Sequence, residues 1–127
     1  MKKLLLILIC LFVSTPCFSK WEKVVEDEFM IFYIDTKSVI LGGDSSFYYL
    51  KTTSKDGTPS KYKNPIRCSL SYVEIDCKNG MNRYLTDELY TDKNCSKLVQ
   101  RKKKPGNWRS PKPQSVMSGI NSRFCKN

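Results

Sequence analysis

The chain has 127 residues, 22 Lys and Arg against 12 Asp and Glu, and no histidine. That length holds one ordinary domain, and the missing histidine removes the usual general base and the commonest metal ligand. A formal net charge of +10 either points to acidic partners (lipopolysaccharide, glycosaminoglycan, an acidic host protein or a membrane surface) or only keeps a small domain soluble.

The chain opens with Lys2 and Lys3, then an almost unbroken apolar run from Leu4 to Val13. Ser14 to Ser19 follow, with small side chains at the −3 and −1 positions of a cut after Ser19. This pattern predicts a cleaved secretory signal peptide over residues 1–19. Pro16 before Cys17 fits a lipobox poorly, and Ile9 before Cys10 is too bulky, so lipidation is not expected at either cysteine. The mature domain, 20–127, then keeps about 108 residues and a charge of about +8. It has no further apolar stretch long enough to span a bilayer.

Trp21 to Val25 reads as a first strand, and Glu26 to Glu28 as an acidic turn. Phe29 to Ile34 is a dense apolar strand with two aromatics. Val39 to Leu41 predicts a short strand before Gly42 and Gly43. Ser46 to Thr53 is the next strand, and Lys55-Asp56-Gly57-Thr58-Pro59 predicts a loop. Ile66 to Cys77 reads as one long strand, followed by a hairpin turn at Lys78-Asn79-Gly80. Met81 to Tyr90 pairs back, and Asp87 and Glu88 are expected to shorten it. Lys97 to Lys103 is the last strand, ended by Pro105-Gly106.

The tail differs. Ser115 is placed to cap a helix running to about Phe124. Val116, Ile120 and Phe124 recur every fourth residue, with Met117 beside them, giving one apolar face. So short a helix is marginal alone in water, so it must dock, and Cys125 at its end looks like its tether. The fold class is therefore α+β: a single antiparallel sheet of about six strands with one C-terminal helix on a face. The strands at Phe29–Ile34 and Ser46–Leu50 are apolar on both sides, and one helix covers only one. Loops, a ligand or a second copy in a homodimer must meet the other.

Cys68, Cys77, Cys95 and Cys125 remain after cleavage. In an oxidising compartment four cysteines make two disulfides, with three connectivities. No close C-x-x-C pair favours zinc. Cys68 and Cys77 are an odd number of positions apart on one strand, so they face opposite ways and do not bridge each other. Two connectivities stay open: Cys68–Cys95 with Cys77–Cys125, or Cys68–Cys125 with Cys77–Cys95.

Several short motifs in this order carry a resemblance. They are Trp21 in W-x-x-V, Phe32-Tyr33-Ile34-Asp35 followed by Ser38-Val39, and Val73-Glu74-Ile75-Asp76-Cys77. Arg83 to Leu85, Trp108 and the closing Phe124-Cys125 complete them. With this spacing the chain resembles the bacterial surface-adhesin protein E family. The resemblance implies a six-stranded antiparallel sheet and a C-terminal helix tied to it by a disulfide matching Cys77–Cys125. Cys68 and Cys95 are then extra and left to pair with each other. A Cys77–Cys125 bridge would close a loop of about 49 residues, a constraint of roughly 4 kcal/mol in the chain-entropy model. Adhesive members bind host matrix glycoproteins such as vitronectin and laminin. They are lipidated at the outer membrane, whereas this leader lacks a lipobox. Periplasm and outer surface of a Gram-negative envelope are thus both open.

Two basic stretches are candidate binding residues. Lys61, Lys63 and Arg67, with Tyr62 among them, flank the long central strand, where the resemblance implies ligand contact. A strand edge guarded by lysines against aggregation is the simpler reading. Arg101, Lys102, Lys103 and Lys104, with Trp108, Arg109 and Lys112 behind, suit a polyanionic glycan or lipid phosphate. No nucleic-acid fold motif accompanies them, so nucleic acid is not expected. Tyr33, Phe47, Tyr49, Tyr62 and Tyr72 are expected in the core. Asp35 is expected to accept backbone hydrogen bonds after its strand. Asp76, Asp87 and Glu88 are the carboxylates a hydrolase would need. No cofactor, metal site or catalytic residue is expected. The reading is a non-catalytic exported binding protein of the envelope. Its rivals are a soluble periplasmic protein of structural or stress role, and a small periplasmic hydrolase or inhibitor.

Overall fold

Segments that are apolar on both faces and bounded by turns need backbone partners on both edges. In the computed structural model they find them in a single antiparallel sheet. The structure describes residues 20–58 and 64–125; the expected signal peptide, and Lys61, Tyr62 and Lys63, lie outside the described residues. The strands are β1 (Trp21–Glu26), β2 (Met30–Asp35), β3 (Ile40–Gly42), β4 (Ser45–Thr58), β5 (Ile66–Asp76), β6 (Met81–Tyr90) and β7 (Leu98–Lys102). One helix, α1 (Val116–Phe124), follows.

The order across the sheet is β1-β2-β4-β5-β6-β7. The sheet has seven strands against about six expected: the short strand read at Val39 to Leu41 forms as β3 and shares one edge of β4 with β2. β2 pairs with Leu50–Ser54, and β3 pairs with the Ser45–Phe47 stretch. The loop expected at 55–59 is also corrected: β4 continues to Thr58, which pairs with Ile66 after a register shift. Gly57 makes that irregularity feasible. Its φ is +82°, and an added Cβ would stand 2.7 Å from the Cβ of Pro65. The glycine marks an irregularity inside the strand, not its end. Asp87 and Glu88 likewise do not shorten β6, because each finds a polar partner described below.

The core lies on one face, under α1. Ile34, Tyr48, Leu50, Val73, Ile75 and Ile120 are buried together. Cross-strand register makes the sheet part: Ile34 lies opposite Leu50, and Tyr48 opposite Val73. Val116, Met117 and Phe124 pack against this cluster from α1, so the four-residue apolar spacing does become the docked face. The Tyr48 and Phe124 rings lie 5.3 Å apart.

Both ends of α1 are satisfied locally. Ser115 is the N-cap, and its side chain accepts from the Ser118 N–H at 3.2 Å. At the other end the buried Ser46 hydroxyl donates to the Phe124 carbonyl at 2.9 Å. Arg123, in the last turn, complements the helix dipole. It also reaches Glu22 at 3.7 Å, but both side chains are nearly half exposed, so that pair adds little.

Candidate functional site

Period-two alternation puts a second set of side chains on the face away from α1. Register aligns Tyr33 with Lys51 and Lys51 with Leu70. Tyr49 aligns with Tyr72, and Phe47 with Glu74. Tyr33, Phe47, Tyr49 and Tyr72 are therefore not core residues, as the aromatic content suggested. Tyr48 and Leu50 alternate with them and take the core.

This open face is an aromatic surface with cations set into it. Tyr72 stacks on Tyr49 at 4.5 Å and on Phe47 at 6.1 Å between ring centres. Tyr49 remains 43% exposed. The Lys51 ammonium sits 4.8 Å from the Trp21 ring and 4.7 Å from the Tyr33 ring, a doubled cation–π contact. Burial holds the Lys51 pKa below its ordinary value. Arg83 lies 4.4 Å over the Trp108 ring and pairs with Glu74 at 2.9 Å. Trp108 reaches that position because Gly106 and Arg109 continue the edge of β6. The Gly106 N–H donates to the Tyr84 carbonyl, and Asn82 and Arg109 exchange backbone bonds of 2.8 and 2.9 Å.

Each face carries one disulfide. Cys77 joins Cys125 at the end of α1, with Cα atoms 5.3 Å apart. Cys68, on the open face, joins Cys95 in the β6–β7 loop, with Cα atoms 5.5 Å apart. Asp92 organises that loop. Its carboxylate accepts from the Ser96 hydroxyl at 2.6 Å, the Ser96 N–H at 3.0 Å and the Lys97 N–H at 2.8 Å. These bonds, the Ser96 hydroxyl foremost, hold the Asp92 pKa at about 2, below its ordinary 3.8. A depressed carboxylate stabilises the fold above its unfolded pKa and loses that effect as pH falls through the folded one. The loop is therefore expected to stay ordered at pH 4 and loosen toward pH 2. An NMR titration of the Asp92 carboxyl and the Ser96 and Lys97 amides checks this; a shared midpoint near 4 would refute it.

The model of the family described as surface-adhesin protein E matches residues 21–126. The chain belongs to the surface-adhesin protein E family. No curated protein matches it. Its fold is similar to two solved structures of Haemophilus influenzae protein E. The selenomethionine form gives a TM-score of 0.59 at 16% identity, covering 88% of this chain and 90% of that one. Crystal form II gives 0.60 at 16% identity, covering 88% and 91%. At that identity the likeness establishes the fold, and family membership supports a surface adhesin. No helix among the described residues is long and apolar enough to cross a membrane.

In this adhesin E domain the candidate cations among the described residues, Arg67 and Arg101 to Lys104, do not form one cluster. Arg101 to Lys104 are all exposed, but the strand divides them. Arg101 faces Glu88 on the open side, pairing with it at 3.3 Å, while Lys102 lies opposite Asp87 on the other side. Lys103 and Lys104 follow the end of β7. Arg67 adjoins Cys68 in the chain, so it points away from the open face, two strands from Arg101. Asp35 does accept turn bonds, from the N–H groups of Lys20 at 3.2 Å and Lys37 at 3.1 Å.

The carboxylates that a hydrolase would need are occupied and apart. Asp76 accepts from Lys78 and Asn79 in its turn, which lowers its pKa, the Asn79 side chain foremost. Asp87 accepts from Ser71 at 2.7 Å, whereas Glu88 accepts from Tyr90 and Arg101 on the opposite face. Adjacent strand residues point opposite ways, so Asp87 and Glu88 cannot flank one substrate. Among the described residues no group of Cys, Asp and Glu is placed to hold a metal ion. Sequence reasoning missed Trp21 and Lys51 as members of the open face. For Lys51 the signal is its parity with Phe47 and Tyr49 against Tyr48 and Leu50.

Proposed function

We propose that this domain is a non-catalytic, exported binding protein of the cell envelope that contacts host matrix glycoproteins through basic surface residues. Membership of the surface-adhesin protein E family carries the reading. The exposed run Arg101 to Lys104, at the outer edge of the sheet, supplies the cations. Charges at a rim of this kind steer association and set its salt dependence. The leader pattern of residues 1–19 supports export.

Neutralising the run, as Arg101→Gln with Lys102, Lys103 and Lys104 also changed to Gln, is expected to weaken binding to immobilised laminin or vitronectin about tenfold. Surface plasmon resonance at physiological salt measures it. Unchanged binding by a folded variant would remove these residues from the contact. Pro16 beside Cys17 favours a second reading, a periplasmic protein of structural or stress role without host contact. Protease digestion of the protein on intact cells, with lysed cells as control, separates the two. Digestion on intact cells supports the adhesin; protection until lysis supports the periplasmic role.

A further inference from the structure

The Cys68–Cys95 disulfide does more than close a loop. Cys68 lies opposite Thr53 on the open face. The bridge therefore draws the β6–β7 loop toward β4, and the Asp92 bonds hold the loop in shape. Lys93 arrives at a cleft of about 270 Å³ bordered by Ile31 and Tyr33 of β2 and by Lys51, Thr53 and Lys55 of β4. Three lysines from two distant chain segments thus converge over an aromatic and aliphatic floor.

Their charges are unevenly balanced. Lys55 is shared with Glu26 at 2.9 Å. Among the described residues neither Lys51 nor Lys93 has an ion pair. Lys51 is offset only by the ring faces of Trp21 and Tyr33. A partly desolvated ammonium in that position gains from an arriving anion. The cleft is smaller than the roughly 300–1,000 Å³ of pockets for drug-sized ligands, so it suits one charged group or one ring. The aromatic face continues beside it: Tyr49, stacked on Tyr72, is about 7 Å along β4 from Lys51. A flat apolar surface next to a cationic hole matches a chain of pyranose rings, whose C–H faces are apolar and whose substituents are charged.

We propose that this cleft binds an anionic sugar unit of a sulfated or uronate-bearing polysaccharide. Lys51, Lys55 and Lys93 receive the sulfate or carboxylate, and the neighbouring rings lie on the Tyr49–Tyr72 aromatic face. The proposal deepens the envelope-binding reading and rests on it for biological purpose, but it uses a different set of cations from Arg101 to Lys104.

The test is heparin oligosaccharide binding to the disulfide-intact mature domain by isothermal titration calorimetry at several salt concentrations. Lys51→Gln and Lys93→Gln are each expected to weaken binding at least fivefold. Each should lower the salt slope by roughly one, as loss of one anion-contacting cation does on nucleic acid. The Cys68→Ser, Cys95→Ser double variant should behave like Lys93→Gln. Unchanged affinity in the folded Lys51→Gln and Lys93→Gln variants, or loss only in the four-site Arg101 to Lys104 variant, overturns the cleft while leaving the matrix-binding reading standing. Three other results also overturn it. These are no heparin binding by the wild-type domain, displacement by inorganic phosphate as effective as by heparin, and self-association that buries the face at assay concentrations. Heparin binding by the cleft with no matrix-protein binding would instead leave the cleft in place and remove the host-contact reading.

Discussion

Replacing Cys125 with serine is expected to lower the unfolding free energy by roughly 4 kcal/mol, the constraint the chain-entropy model gives for a cross-link spanning 48 positions. Most of that constraint acts on the unfolded chain, which the Cys77–Cys125 bridge holds in a long loop. The native state loses support as well, because α1 has only nine residues and is marginal without tertiary contacts. Its C-terminal turn is held from two sides, by the disulfide and by the Ser46 bond to the Phe124 carbonyl. Removing the first leaves the second to fray. Guanidinium unfolding under non-reducing conditions measures the loss, and amide exchange beyond Ser115 should accelerate in the variant. A loss below about 1 kcal/mol with unchanged exchange would show that packing by Val116, Ile120 and Phe124 holds the helix unaided. Non-reducing peptide mapping of the wild-type domain should recover a Cys77–Cys125 peptide; a Cys77–Cys95 peptide would overturn the tether.

Ile75→Ala is the second large effect, expected at about 2–5 kcal/mol. Ile75 is 0% exposed and belongs to the buried cluster that includes Ile120. On the sheet it lies between Ser46 of β4 and Asn82 of β6, neither of which can expand into the space. The helix above is pinned at its end, so the site collapses poorly and a cavity remains. Domains of this size are stable by only about 5–15 kcal/mol, so the change consumes a large share. Urea unfolding gives the value; a change under about 1 kcal/mol would mean that α1 settles into the gap. The two substitutions are not expected to add, because both loosen the same helix from the same face.

The element plan was legible because its signals are local. Ser115 before Val116, Ile120 and Phe124 states a cap and an apolar stripe within ten positions. The turn at Lys78-Asn79-Gly80 falls between two strands that do pair. The extent of β4 beyond Gly57 is not legible in the sequence, for a physical reason. A positive-φ glycine reads as a loop in sequence, yet here it carries an irregularity toward Ile66 that only a facing strand makes visible. Which aromatics are buried is hidden in the sequence for a related reason. Tyr48 and Tyr49 are chemically alike, and their burial differs only because alternation places one under α1 and the other on the open face.

An α+β domain with a capped terminal helix is written in local signals, because period, caps and turns act over a few residues. The odd spacing of Cys68 and Cys77 also determined that those two cysteines face opposite ways. Tertiary structure alone decided which face α1 covers and which aromatics remain outside. It also split Arg101 from Lys102, separated Asp87 from Glu88, and brought Lys93 to the cleft bordered by Lys51 and Lys55. Those outcomes depend on strand register and on a bridge across 27 positions, and neither has a signature within any short stretch of chain.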